Sequence, residues 1–275
     1  MNQAQRIFEL SRMQNPLISS GVGKNIFSFA SGKGGTGKTF LSLNTSIALS
    51  AMNKKVLLID MDFNFSNIHI LLNYNPDLTF IKYFRGDALL SQLIVNYSEN
   101  LDIIFGDSGK RDYPKLNEMK IKSMFAQINR MSADYDYVII DCASGGSEEN
   151  LEIMKNSGNV FIVITPEPTS IMDGYVLVKL INSYSNEINK IAVVNKASET
   201  EEGKNAYENF NKATGHFLKE TVESGGIIET SKEVSESVIS QVPFIIKNPN
   251  HKITYQIYQF SSKIQKIAQL ANNNH

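Results

Sequence analysis

The run FSFASGKGGTGKTFLSLN, residues 27–44, confines this chain more than any other stretch. An apolar segment leads into a loop containing Gly32, Gly34, Gly35 and Gly37, and helical spacing starts at Lys38. Gly32, Gly37, Lys38 and Thr39 satisfy the pattern G-x-x-x-x-G-K-[ST], placed between a strand and a helix as its chemistry requires. Glycines allow successive backbone N–H groups to turn into one concavity, and the helix N-terminus adds partial positive charge, so the loop suits phosphate. In that arrangement Lys38 neutralises the outer phosphates and Thr39 holds Mg²⁺.

A fold able to support such a loop is legible in the rest of the chain. Short β-branched runs at 26–30, 56–59, 101–105, 137–140, 160–165 and 191–194 are nearly continuous in apolar character, as strands buried on both faces require. Between most of them lie segments long enough for crossover helices. The expectation is an α/β fold: a doubly wound, mainly parallel sheet flanked by helices. Helices are expected at 38–52, with Phe40, Leu43, Ile47 and Ala51 on one face, and at 169–183, opened by Ser170 and Asp173 at capping-box spacing. With 275 residues and 42% hydrophobic content, one large domain or at most two can form.

Composition removes several function classes. Lys and Arg number 27 against 28 Asp and Glu, so the overall charge gives no reason to expect DNA or RNA as a partner. The single cysteine, Cys142, excludes a disulfide framework within the chain and reads as a small buried filler. His69, His216, His251 and His275 are scattered, with no pair at metal-ligand helical spacing. No basic start followed by an apolar run marks a secretory leader, and no apolar run is long enough to span a bilayer. An intracellular, cytoplasmic setting is expected.

The loop carries a second lysine, Lys33, where one lysine per phosphate cradle is the ordinary arrangement. Lys33-Gly34-Gly35-Thr36-Gly37-Lys38-Thr39 resembles the deviant Walker A motif of the MinD/ParA ATPases, P-loop NTPases whose first lysine reaches the partner's nucleotide across a dimer. This resemblance covers about residues 24–271. It implies ATP and ADP as ligands with Mg²⁺, an ATP-dependent homodimer, slow dimer-dependent hydrolysis and catalytic roles for Lys33 and Asp62. Asp62 lies in Asp60-Met61-Asp62-Phe63-Asn64-Phe65-Ser66-Asn67, which is similar to the family's switch I, where the second aspartate positions the attacking water. Either aspartate could instead cap the next helix. The strand-like run Tyr137-Val138-Ile139-Ile140-Asp141 has the Walker B form, with Asp141 suited to hold Mg²⁺ through water. Residues 142–146 resemble the switch II loop, and Asn195 matches the asparagine that reads adenine in the family. The nucleotide-binding set is therefore Gly32, Lys33, Gly34, Gly35, Thr36, Gly37, Lys38, Thr39 and Asn195, with Thr39 and Asp141 toward the metal.

Residues 165–173 and 240–244 look like the FlhG branch, flagellar-number regulators also called FleN or YlxH. Within residues 1–23, an N-terminal partner-binding segment and linker, Gln3, Ala4 and Ile7 resemble the segment with which that branch engages the signal-recognition-type GTPase FlhF. Asn2 and Phe8 depart from the pattern. The branch implies control of flagellar number or placement through FlhF and other flagellar proteins, with recruitment to the cell pole or inner membrane. Other readings are a MinD/ParA-type ATPase for division-site placement or for DNA or cargo partitioning, and a nucleotide-stabilised interaction module without turnover.

At the other end, Ile253, Ile257, Phe260, Ile264, Ile267 and Ala271 form a stripe expected to pack on the core. Residues 272–275 read as a disordered tail, with no room for an additional anchor helix, so membrane association is expected to be weak or indirect.

Overall fold

The computed structural model describes residues 23–273, apart from 64, 112 and 186. Residues 1–22, with Gln3, Ala4 and Ile7, lie outside the described residues, as do 274–275. The strands are β1 (Ile26–Ser31), β2 (Val56–Met61), β3 (Ile94–Ser98), β4 (Leu101–Ile104), β5 (Tyr137–Ser144), β6 (Asn159–Ile164), β7 (Asn189–Ala197) and β8 (Glu223–Glu229). They form one sheet in the order β3-β4-β2-β5-β1-β6-β7-β8, parallel throughout except for β3 against β4.

The loop-bearing strand β1 lies between β5 and β6, away from both sheet edges. Its side chains alternate by the period of a strand. Ile26 and Ala30 enter the core on one face, Phe27 and Phe29 the core on the other, and all four are fully buried. On the first face lie α4 (Glu118–Met131), α5 (Glu148–Lys155), α6 (Pro168–Tyr184) and α7 (Thr200–Leu218). On the second lie α1 (Lys38–Ala51) and the last helix, α10 (Lys252–Asn273). Shorter helices are α2 (Ile68–Leu71), α3 (Phe80–Phe84), α8 (Lys232–Ile239) and α9 (Phe244–Lys247).

The C-terminal stripe packs as expected: Ile253, Ile257, Phe260 and Ile264 are buried, and Ile267 packs on the same core. Helix α10 also runs to Asn273, into the stretch read as a tail. Among the described residues, no helix is long and apolar enough to cross a membrane.

Three local expectations change. In α1, Leu43 is buried and Phe40 and Ile47 pack on the core, but Ala51 is exposed, and the deepest positions include Leu41, Ala48 and Leu49. The stripe is rotated because helix and sheet meet along the row beginning at Leu41. In α6, the cap position is Glu167, with Pro168 in the first turn. Ser170 is inside the helix and its Oγ accepts from the Thr165 N–H at 2.9 Å, so it secures the end of β6 rather than the helix. Strands β3 and β8 carry no long apolar run. Edge strand β3 is only partly covered, and the start of β8 is Glu-Ser-Gly-Gly, a turn-like composition that its pairing with β7 overrides.

Phe260 shows how tightly α10 seals the second face. Its ring lies 4.9 Å from that of Phe161 and 5.9 Å from that of Phe29, both edge-on. Phe260→Ala should therefore destabilise the protein by about 3–5 kcal/mol, read as a lower denaturant midpoint in chemical unfolding.

Candidate active site

The loop after β1 is held by three elements. Gly37 has φ of +90°, and any side chain there would collide with the Asn195 amide. Asn195, buried on β7, donates from Nδ2 to the Thr36 carbonyl at 2.8 Å. The next residue, Lys196, adopts φ of 60° and donates from Nζ to the Gly35 carbonyl at 2.7 Å. Gly32 lies against the Asp173 backbone of α6, where a Cβ would also collide. Finally, Ser31 Oγ donates to the Lys33 carbonyl at 2.6 Å. Carbonyl groups of the loop are thus turned to protein donors.

The two lysines have opposite surroundings. Lys38 is buried, and its Nζ donates to Ser31 Oγ at 3.0 Å and to Ser144 Oγ at 2.8 Å. Lys33 points outward. Its Nζ meets Glu167 Oε2 at 2.6 Å and Thr169 Oγ1 at 3.2 Å at the start of α6, with the Lys33 and Glu167 side chains 40% and 64% exposed. A pair this exposed is screened by water and holds only weakly. Lys33 is therefore free to exchange partners, whereas Lys38 is not.

Facing Lys38 are the acids. Asp60 and Asp141 stand opposite each other in the β2–β5 register, and both are buried. Asp60 is fully provided with donors: Ser66 Oγ at 2.6 Å, Asp62 N at 3.1 Å, Ile68 N at 3.2 Å and Asn67 N at 3.3 Å. It therefore caps the start of α2 and fixes Ser66, Asn67 and Ile68, and of the two aspartates it is Asp60 that takes the structural role. Burial still raises its carboxyl above the ordinary range, the hydrogen bonds opposing. Asp141 is less well served. Burial raises its carboxyl, the Asp60 charge raises it further, and the Thr39 hydroxyl and Lys38 oppose. Its Oδ1 has no hydrogen-bond partner. A buried, underserved carboxylate oxygen beside a threonine hydroxyl fits a hard divalent cation approached through water.

Asp62 is half-buried; burial raises its carboxyl and Lys38 opposes. Among the described residues, Asp62 takes one backbone donor, the Phe65 N–H, where Asp60 takes four donors. Cys142 is buried, its thiol pushed up by burial, and acts as filler between β5 and the first core.

The structure brings residues 32–39 together with Asp62, Asp141 and Asn195 at one edge of the sheet, the C-terminal ends of β1, β2, β5 and β7. Five residues here were not marked as site residues by sequence reasoning: Ser31, Ser144, Asn150, Glu167 and Lys196. Asn150, buried in α5, donates from Nδ2 to the Ala143 and Gly145 carbonyls at 2.9 and 3.0 Å and so anchors the loop after Asp141. Lys196 and Glu167 carried a signal, a charge directly beside a motif. Ser31 carried none, because a hydroxyl's role depends on which strands lie side by side, and Ser144 carried only its place in the stretch that resembles switch II.

The buried acids set the pH dependence. Their folded pKa values lie above those of the unfolded chain, so there is no penalty while both states are protonated. The penalty builds as pH rises through the ordinary carboxylate range and is complete above the raised folded values. In chelator, the melting temperature should fall between about pH 5 and about pH 8. Asp141→Asn should flatten that slope and raise the melting point by a few degrees near pH 8, as followed by thermal melts.

Comparison with known proteins agrees with this geometry. The family model AAA_31, described as an AAA domain, matches residues 24–193. The antiactivator FleN of Pseudomonas aeruginosa is 26% identical over 247 residues, covering 90% of this chain and 88% of FleN. The flagellum site-determining protein YlxH of Helicobacter pylori is 27% identical over 233 residues, covering 84% of this chain and 79% of YlxH. Among solved structures, the septum site-determining protein MinD of Pyrococcus horikoshii, complexed with Mg-ADP, aligns with a TM-score of 0.76 at 23% identity, covering 90% of this chain and 98% of that one. The loop, the acids at the strand ends and the sheet order thus sit on a fold shared with MinD, and the chain belongs to the AAA_31 family, with its resemblance running to MinD/ParA-type ATPases and to FleN and YlxH.

Proposed function

We propose that the chain is an ATP-hydrolysing switch that dimerises with ATP bound and regulates flagellar number or placement through partner proteins. The observation that carries this reading is the unequal placement of the two loop lysines. Lys38 is fixed inside the concavity by two serines, as a ligand of its own nucleotide must be. Lys33 is exposed on the outer side of the same loop, on a screened ion pair it can leave. A lysine so placed suits the nucleotide of a second copy, where neutralising charge at the transferring phosphoryl group speeds hydrolysis.

In this reading the backbone of residues 32–39 cradles the phosphates, and Asn195, which holds the Thr36 carbonyl, is the residue that the resemblance assigns to the base. Mg²⁺, when bound, supplies positive charge to the phosphate oxygens, and Thr39 and Asp141 are the residues that fit it. Asp62 orients the attacking water; water adds to the terminal phosphorus as the bond to ADP breaks, and its proton leaves with the phosphate. The similarity to FleN and YlxH supports the flagellar role. An FlhF-type GTPase as partner of Gln3, Ala4 and Ile7, and recruitment from the cytoplasm to the pole or inner membrane, belong to the same proposal.

Light scattering after size-exclusion chromatography should report a monomer in ADP and a dimer in a non-hydrolysable ATP analogue. Lys33→Ala should keep ATP binding within about twofold and lower turnover at least about 100-fold, as for loss of a trans-acting cation. Unchanged turnover would remove Lys33 from the chemistry. Asp62→Ala should bind ATP, stall hydrolysis and accumulate as a nucleotide-bound dimer; a variant that hydrolyses normally shows that Asp62 is not the water-positioning group.

A further inference from the structure

Strand β5 does not end at Asp141 but continues to Ser144, next to the end of β1. After an irregularity in the β1–β5 register, Ser31 and Ser144 stand opposite each other. Both hydroxyls receive the Lys38 ammonium, yet their own hydrogens have different fates. Ser31 spends its hydrogen on the Lys33 carbonyl at 2.6 Å. Ser144 accepts from Lys38 at 2.8 Å, so its hydrogen remains to be given elsewhere, and no acceptor for it is found among the described residues.

The backbone that carries that hydroxyl is anchored on both sides. The Asn150 side chain holds the carbonyls on either side of Ser144, at 2.9 and 3.0 Å, and the Gly145 N–H donates to the Ser31 carbonyl at 2.8 Å. Ser144 itself is exposed, and its Oγ lies 3.8 Å from the point where a Cβ on Gly34 would stand, beside the glycine-rich loop. A donor with an unspent hydrogen, bonded to the Lys38 ammonium, thus stands at the mouth of the glycine-rich loop, whose backbone suits phosphate.

We propose that Ser144 is a further catalytic residue, whose hydroxyl donates to the terminal phosphate while accepting from Lys38. This rests on the ATPase reading above. The consequence is a discriminator. ADP lacks the group that Ser144 would touch, so the contact exists only in the triphosphate complex, and Asn150 transmits it to α5 through the loop it anchors.

The test uses the full chain and its Ser144→Ala and Ser144→Thr variants, with calorimetric titration of ADP and of a non-hydrolysable ATP analogue in Mg²⁺ and single-turnover hydrolysis of ATP. Loss of one charge-assisted hydrogen bond should weaken analogue binding by Ser144→Ala about tenfold or more. ADP affinity should stay within about twofold, the single-turnover rate should fall, and Ser144→Thr should recover most of both. Equal losses for ADP and analogue, or no loss for either, would overturn the assignment, and thermal melts of the variants tell either result from misfolding. A wild-type chain that binds neither nucleotide would overturn the ATPase reading itself, a failure distinct from that of Ser144.

Discussion

Two carboxylates on neighbouring strands, Asp60 and Asp141, are buried face to face at the edge of the sheet where the glycine-rich loop begins. Charges so close in a dry environment repel, and burial alone already disfavours each. The protein resolves the conflict unequally. Four donors around Asp60 make its charge tolerable and at the same time tie Asp62, Ser66, Asn67 and Ile68 to it. Asp141 receives far less, and one of its oxygens has no partner. A fold that satisfied both would have no use for a cation at this point; this one retains a stored electrostatic demand beside Thr39.

The same inequality runs through the loop. Its interior lysine is held by serines from β1 and β5, and its carbonyls are secured by Asn195 and Lys196 from β7. Its outer lysine has only solvent-screened contacts with Glu167 and Thr169. Rigid backbone therefore presents one fixed and one exchangeable cation. Preorganised charge costs no reorganisation when substrate arrives, whereas an exchangeable charge can be supplied from outside the subunit. Both properties are needed if the assembled state is to be more active than its parts.

Much of this was legible in the amino-acid sequence, for physical reasons that differ by element. Central strands β1, β5 and β6 are buried on both faces, so their apolar runs betray them, and the loop's glycines mark backbone that other residues cannot adopt. Asp141 stands out because it ends such a run, whereas Asp62, two residues beyond Asp60, is singled out only by the resemblance to switch I. Strand β8 was hidden because its pairing, not its side chains, makes it a strand. Ser170 was assigned to a cap that Glu167 and Pro168 occupy, since capping patterns describe a local preference and the Thr165 N–H offered a competing partner. Ser31 and Ser144 lie 113 positions apart in sequence and meet only through the β1–β5 register.

That last juxtaposition indicates how nucleotide occupancy could reach the helices. Lys38 cannot change its contacts without affecting Ser144, and Ser144 cannot move without straining the two carbonyls that Asn150 holds. Asn150 is buried in α5, whose Leu151, Ile153 and Met154 belong to the first-face core together with Leu177, Val178 and Ile181 of α6. Close-packed cores respond to such a displacement by shifting whole elements rather than by yielding atom by atom. The start of α6 carries Glu167 and Thr169, the resting partners of Lys33. A change registered at the inner lysine thus has a route through the packed core between α5 and α6 toward the exposed contacts that hold the outer one.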